Sequence, residues 1–155
     1  MNTKRRFLVT VAVVFLVAQV FAIVIHGFIL GPDYRPFYGT LIRPMQGDPE
    51  ATWMVVFLPV AHLAMAIAFV ALFSRWVRPV LGEEIPQGLR FGVLAWLFGP
   101  VPMYLLWFAE QPWPFSLTIK QLALELFTML VLGTLTAILY RPGSVDTPTH
   151  GVARI

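Results

Sequence analysis

The sequence predicts an all-α, polytopic membrane protein: a four-helix transmembrane bundle with both termini cytoplasmic. Composition is the first observation. Of 155 residues, 58% are hydrophobic and 12% charged, where a soluble domain carries about 25% charged residues; mean hydropathy is +0.76. Block length is the second. The apolar residues fall into four runs, 7–30, 53–73, 89–108 and 115–140, each near the roughly 20 residues that cross a bilayer as a helix. Charge placement is the third. Lys4, Arg5, Arg6, Arg75, Arg78, Arg90, Arg141 and Arg154 flank the runs on one side, against Arg35, Arg43 and Lys120 on the other, and basic loops stay in the cytoplasm.

The same placement argues against nucleic acid as a partner. A net charge of +3 is held at helix ends rather than along one face, which is the footprint of bilayer insertion. The chain has no cysteine, which removes disulfides, thiolate chemistry and cysteine-bound metals.

The first run begins "KRRFLVTVAVVFLVAQVFA", which also has the layout of a signal peptide with Val20-Phe21-Ala22 as a cleavage site. Its apolar character continues through Ile23, Val24, Ile25, Phe28 and Leu30, so a retained helix is expected. Gly31-Pro32 and Arg35-Pro36 end it. The loop to Thr52 holds Tyr34, Phe37 and Tyr38, with Trp53 beyond it, rings suited to the headgroup level. Its length would let it fold back as a cap; interfacial anchoring accounts for it more simply.

The second span is rich in alanine, at Ala61, Ala64, Ala66, Ala68 and Ala71, and the third has Gly92, Ala95 and Gly99. Small residues let helices approach closely in lipid. Glu83, Glu84 and Pro86 suit a helix start. Pro100 and Pro102 predict a kink in the outer half of the third span, because proline lacks the N–H that the helix needs and crowds the preceding turn. Residues 142–155 have no apolar period and read as a disordered cytoplasmic tail containing His150.

The informative residues are the polar ones inside the spans. At 1.5 Å per residue, His62 lies roughly 14 Å, Glu125 roughly 15 Å and Gln19 roughly 16 Å below the outer ends of their helices, near the midplane of a hydrocarbon layer about 30 Å thick. His26, Gln121 and Tyr104 lie shallower. Gln121 and Glu125 share a face of the fourth helix, continued by Thr128, and Gln19 and His26 share a face of the first. The six candidates form one stripe, with His62 the expected partner of Glu125 and Lys120 reaching outward. An ionised carboxylate alone in hydrocarbon is too costly, so Glu125 must be protonated or partnered. Burial and pairing act on a His–Glu pair in opposite directions, which leaves charged and neutral forms both open.

Several chemistries lose support. Haem would need His26 and His62 as axial ligands, and their depths differ by roughly 8 Å; no cofactor is expected. A metal site of His26, His62 and Glu125 meets the same difficulty. No phosphate loop or two-histidine metal spacing occurs, and Ser74, Ser116 and Ser144 stand at span ends or in the tail with no histidine near in sequence, so no enzyme chemistry is indicated. No internal repeat of the transporter kind is present.

The set "HGFILGPDY", "IRP", "AHLAMAIAFV", "QGLRFGV", "EQPWPF" with "IKQ", and "LYRP" resembles an uncharacterised family of small bacterial four-span membrane proteins, over most of residues 20–142. The resemblance implies the bacterial inner membrane and four helices, and no activity. The leading expectation is a small accessory or self-associating membrane protein, its polar stripe serving as interhelical glue, with the bilayer and a second copy or a membrane protein as partners. The alternative is a carrier or sensor for a proton or small ligand, using His62 and Glu125 with Gln19, Gln121, His26 and Tyr104 along the approach. Convergence of these residues inside the bundle would favour the second; an outward-facing set would favour the first.

Overall fold

The computed structural model describes residues 3–43, 47–77 and 80–140. It is all-helical, with no strand among the described residues. Four stretches are long and apolar enough to cross a membrane: Thr3–Ile29, Pro49–Trp76, Glu84–Glu110 and Phe115–Tyr140. The first is α1 (Thr3–Ala22) continued by a π-helical segment, Ile23–Ile29. A single turn, α2 (Gly31–Tyr34), follows, then a 3₁₀ turn Arg35–Phe37. The second span is α3 (Thr52–Trp76), the third α4 (Glu84–Phe98) and α5 (Pro100–Glu110), and the fourth α6 (Phe115–Tyr140). The first three spans extend past their apolar runs, because polar ends such as Lys4–Arg6 and Glu84–Gln87 continue helical hydrogen bonding outside the greasy stretch. The tail 142–155, with His150, lies outside the described residues, as do Arg78, Arg141 and Arg154.

Helices α1 and α6 form the central pair. α3 packs on α1 and touches α6, while α4 and α5 pack on α6. The chain of contacts therefore runs α3, α1, α6, α4. One apolar core gathers Val14, Ala18, Phe69, Phe73, Met129 and Leu132. Phe91 closes it by bridging α4 to Phe69 and Phe73 on α3, with ring centroids 4.8 and 5.1 Å apart. A second core, toward the 31–42 loop, contains Ile25, Leu30, Tyr34 and Leu117, with Phe37, Ile42 and Trp113 against it.

The tightest crossing is α4 on α6. A Cβ placed on Gly88 would stand 2.5 Å from the Thr134 backbone, and Cβ atoms on Gly92 and Gly133 would run into the Met129 and Gly88 carbonyls. These contacts are backbone, so they cannot rotate aside, and glycine is the residue that fits. The close-approach face is thus Gly88 and Gly92 against Gly133, rather than Gly92 with Ala95 and Gly99. Gly99 is taken up by the break between α4 and α5, where Pro100 opens the next helix; this is the expected kink. The alanines of α3 also depart from expectation. Ala66 is buried, but Ala61, Ala64 and Ala68 are exposed, since α3 meets only one close neighbour along that half.

The 31–42 segment folds back over the end of α6 and is not a bare interfacial loop. Tyr34 is 8% exposed, Phe37 meets Trp113 at 5.1 Å between centroids, and Asp33 binds Lys120 through both carboxylate oxygens at 2.8 and 2.9 Å. Lys120, expected to reach outward, reaches Asp33 and ties the cap to α6.

Candidate functional site

Most hydroxyls in the spans satisfy themselves locally. Thr10, Thr128, Thr134 and Thr136 each donate to the carbonyl four residues back, at 2.7–3.0 Å. Such bonds stay within one helix and join nothing. The six candidate residues behave otherwise, because their side chains reach across elements into one cluster.

The π-helical segment makes this possible. The Leu30 N–H reaches back five residues to the Ile25 carbonyl at 2.8 Å, which widens the turn and rotates His26 out of line with Gln19. The two residues, expected on one face, consequently serve different neighbours. Gln19 stays on the α3 side, where its Oε1 accepts from His62 Nδ1. His26 turns toward α6, with Nε2 3.4 Å from Glu125 Oε1. The direct histidine partner of Glu125 is therefore His26, not His62. His62 remains close enough to interact with the charges of both Glu125 and His26.

Gly31-Pro32 ends the span, and α2 returns the chain so that Tyr34 stacks on the His26 ring at 10° between planes. Tyr34 Oη lies 2.8 Å from His26 Nδ1 and accepts from Gln121 Nε2 at 3.1 Å. Burial raises the Tyr34 phenol above its ordinary value, Gln121 pulling the other way. On α5, just past the break, Tyr104 is 3% exposed and lies near the Glu125 carboxyl. One turn along α6 from Glu125, Trp96 Nε1 donates to the Leu122 carbonyl at 2.9 Å and pins α4 alongside.

The result is a continuous polar path, Gln121–Tyr34–His26–Glu125, with Tyr104 near the carboxyl and Gln19–His62 beside it. Gln121, Tyr34 and Tyr104 are buried, whereas the Glu125 and His26 side chains keep 17% and 36% of their surface open. The core of the network is closed, and the ionisable pair sits at its partly exposed edge. No buried side-chain nitrogen or oxygen among the described residues lacks a partner, and no three His, Asp or Glu side chains among them gather as a metal site.

All six candidates are brought together. The residue that sequence reasoning missed is Tyr34, placed there at the headgroup belt. Two signals pointed to it: Gly31-Pro32 turns the chain back directly after the span, and Asp33 beside it has its complement in Lys120, next to Gln121. Comparison of the chain with protein-family models, with curated proteins and with solved structures finds no match in any of the three.

Proposed function

We propose that this chain is a multi-pass protein of the bacterial inner membrane, with both termini cytoplasmic, that handles protons or a small ligand as a sensor or carrier. The single observation behind this reading is convergence. Glu125, His26, His62, Gln19, Gln121 and Tyr104 come from four different spans and meet at one place, whereas an assembly surface would present them outward. Intramembrane ionisable residues that face a bundle interior and pair with one another are typical of proton relays and ligand sites. Two of the hydrogen bonds, Tyr34–His26 and His26–Glu125, run between titratable groups, which glue does not require. The inner-membrane and orientation assignments draw on the sequence resemblance and on the basic loops.

The test is an infrared pH titration in lipid, comparing the wild type with Glu125→Gln. A Glu125 carboxyl band that changes reversibly with bulk pH is expected. A band that stays constant at every pH would retire this reading in favour of structural glue.

The accessory or self-associating reading keeps one observation of its own, the exposed Ala61, Ala64 and Ala68 on α3, since small residues can seat a second helix. Single-molecule photobleaching at low protein-to-lipid ratio decides it: a dimer supports association, and a monomer in a membrane without partners removes self-association.

A further inference from the structure

We propose that Tyr34, His26 and Glu125 form a proton wire, entered at Tyr34 from the side of the 31–42 cap and oriented by Gln121; the proposal rests on the proton-handling reading above. The direction follows from counting donors and acceptors. An amide NH₂ can only donate, and Gln121 Nε2 stands 3.1 Å from Tyr34 Oη, so that oxygen accepts there. The Tyr34 hydrogen is then free for another partner, and His26 Nδ1 lies 2.8 Å away. The opposite ring nitrogen, Nε2, faces Glu125 Oε1 at 3.4 Å. A neutral imidazole carries one hydrogen, on one nitrogen or the other.

Two states satisfy the contacts of His26 with Tyr34 and Glu125. With Glu125 ionised, the carboxylate must accept, so Nε2 carries the hydrogen and the bare Nδ1 accepts from Tyr34. With Glu125 protonated, its O–H donates to a bare Nε2; Nδ1–H then donates to Tyr34 Oη, whose own hydrogen turns toward the cap. The two states differ by one proton. Uptake breaks the Tyr34 O–H and forms Nδ1–H, breaks Nε2–H and forms the Glu125 O–H, and a solvent proton restores the tyrosine. Every intermediate carrier ends neutral, and the His26 tautomer has switched. Release runs the same bonds backward. Burial keeps the phenol in its hydrogen-bearing form.

The groups that face this path are few. His26 meets Tyr34 from α2, Glu125 from α6 and the charge of His62 from α3. Glu125 also faces Tyr104 on α5, and Tyr34 feels Asp33 and Tyr38 within the cap. Tyr34 is thus the group through which the cap side communicates with the carboxyl.

The experiment combines ¹⁵N-histidine NMR with infrared hydrogen–deuterium exchange, both on the full chain in lipid bilayers. In the wild type, the His26 hydrogen is expected on Nε2 while Glu125 is ionised and on Nδ1 once it is protonated. Tyr34→Phe, which removes only the hydroxyl, is expected to leave Glu125 able to titrate but to slow exchange of its carboxyl proton with D₂O. A loosened structure would speed that exchange, so the sign separates a relay from a packing role. A His26 hydrogen that stays on one nitrogen while Glu125 titrates, or exchange in Tyr34→Phe as fast as in the wild type, overturns the wire and leaves the proton-handling reading standing. A Glu125 band that never titrates overturns the proton-handling reading itself. Should the variant fail to fold, the wild-type tautomer switch still decides.

Discussion

The two halves of α6 hold the bundle by different physics. From Met129 to Thr136 the helix meets α4 through Gly133 against Gly88 and Gly92, a dry contact in which backbone lies on backbone. From Leu117 to Glu125 it carries Gln121 and Glu125 into a network of hydrogen bonds with α2 and the π-helical end of the first span. Lipid offers no hydrophobic drive between helices, so association must come from close packing or from polar contacts. This helix uses one at each end. The glycine half gains by shape and tolerates no added atom. The polar half leaves Glu125 and His26 partly open and joined at 3.4 Å, a geometry that can tighten or let go. On the proposed reading, rigidity at one end would position a proton-handling site at the other.

The comparison predicts its own largest effect. Gly133→Leu should cost about 3 kcal/mol or more, the upper range for overpacking, because the obstructing atoms are the Gly88 carbonyl and the Gly92 backbone. An unfolding titration in mixed detergent micelles measures it. A variant as stable as the wild type would mean that α4 and α6 do not cross at these glycines.

The polar half should be less sensitive. Glu125→Leu removes the acceptor for His26 and is expected to cost about 1–2 kcal/mol, the upper range for interhelical hydrogen bonds in membranes. Glu125→Gln keeps an oxygen at that position and should fall within about 0.5 kcal/mol of the wild type by the same scale. A Gln variant as damaging as the Leu variant would show that the charge, not the hydrogen bond, holds the helix. Smaller still is the Gln19–His62 contact. A double-mutant cycle of Gln19→Leu and His62→Leu should return a coupling of about 0.6 kcal/mol, the average for such pairs; zero coupling would place the two side chains apart.

Much of this was legible in residue order. Hydropathy marks four spans because every backbone group must be satisfied within a helix in lipid, and Pro100 announces its own break. Depth counting puts Gln19 and His62 at one level, and the two bond; it sets His26 shallower than Glu125, yet those two meet at 3.4 Å. Pairing was not legible. Whether Glu125 meets His26 or His62 depends on the rotation of the first helix, and one wide turn before Leu30 changes that rotation without any proline or glycine pair to signal it. The close-approach face was misplaced for a related reason. Gly88, Gly92 and Gly133 matter through which helix lies opposite, and alanine-rich α3, the more conspicuous candidate, meets little along its exposed half. Tyr34 belonged by composition to the interfacial aromatics, and only the return of the chain at α2 brings it over His26.

The Asp33–Lys120 pair sharpens the comparison at its faint end. Its two hydrogen bonds at 2.8 and 2.9 Å are short, yet the side chains are 34% and 54% exposed, so water and salt compete for both charges and the pair is worth about 0–1 kcal/mol. Asp33→Asn should therefore leave global unfolding nearly unchanged, and what difference it makes should fade at 1 M salt, where the screening length falls to about 3 Å. Its effect belongs in the cap. The Leu41 and Ile42 amides, which close on the Phe37 carbonyl at 3.0 and 2.9 Å, should exchange faster with deuterium, while amides along the α4–α6 crossing keep their wild-type protection. Local opening of this kind is drawn from the least stable part of a structure. If exchange rose equally at both places, the cap and the glycine crossing would be one cooperative unit, and the division of α6 into a rigid half and a responsive half would fail.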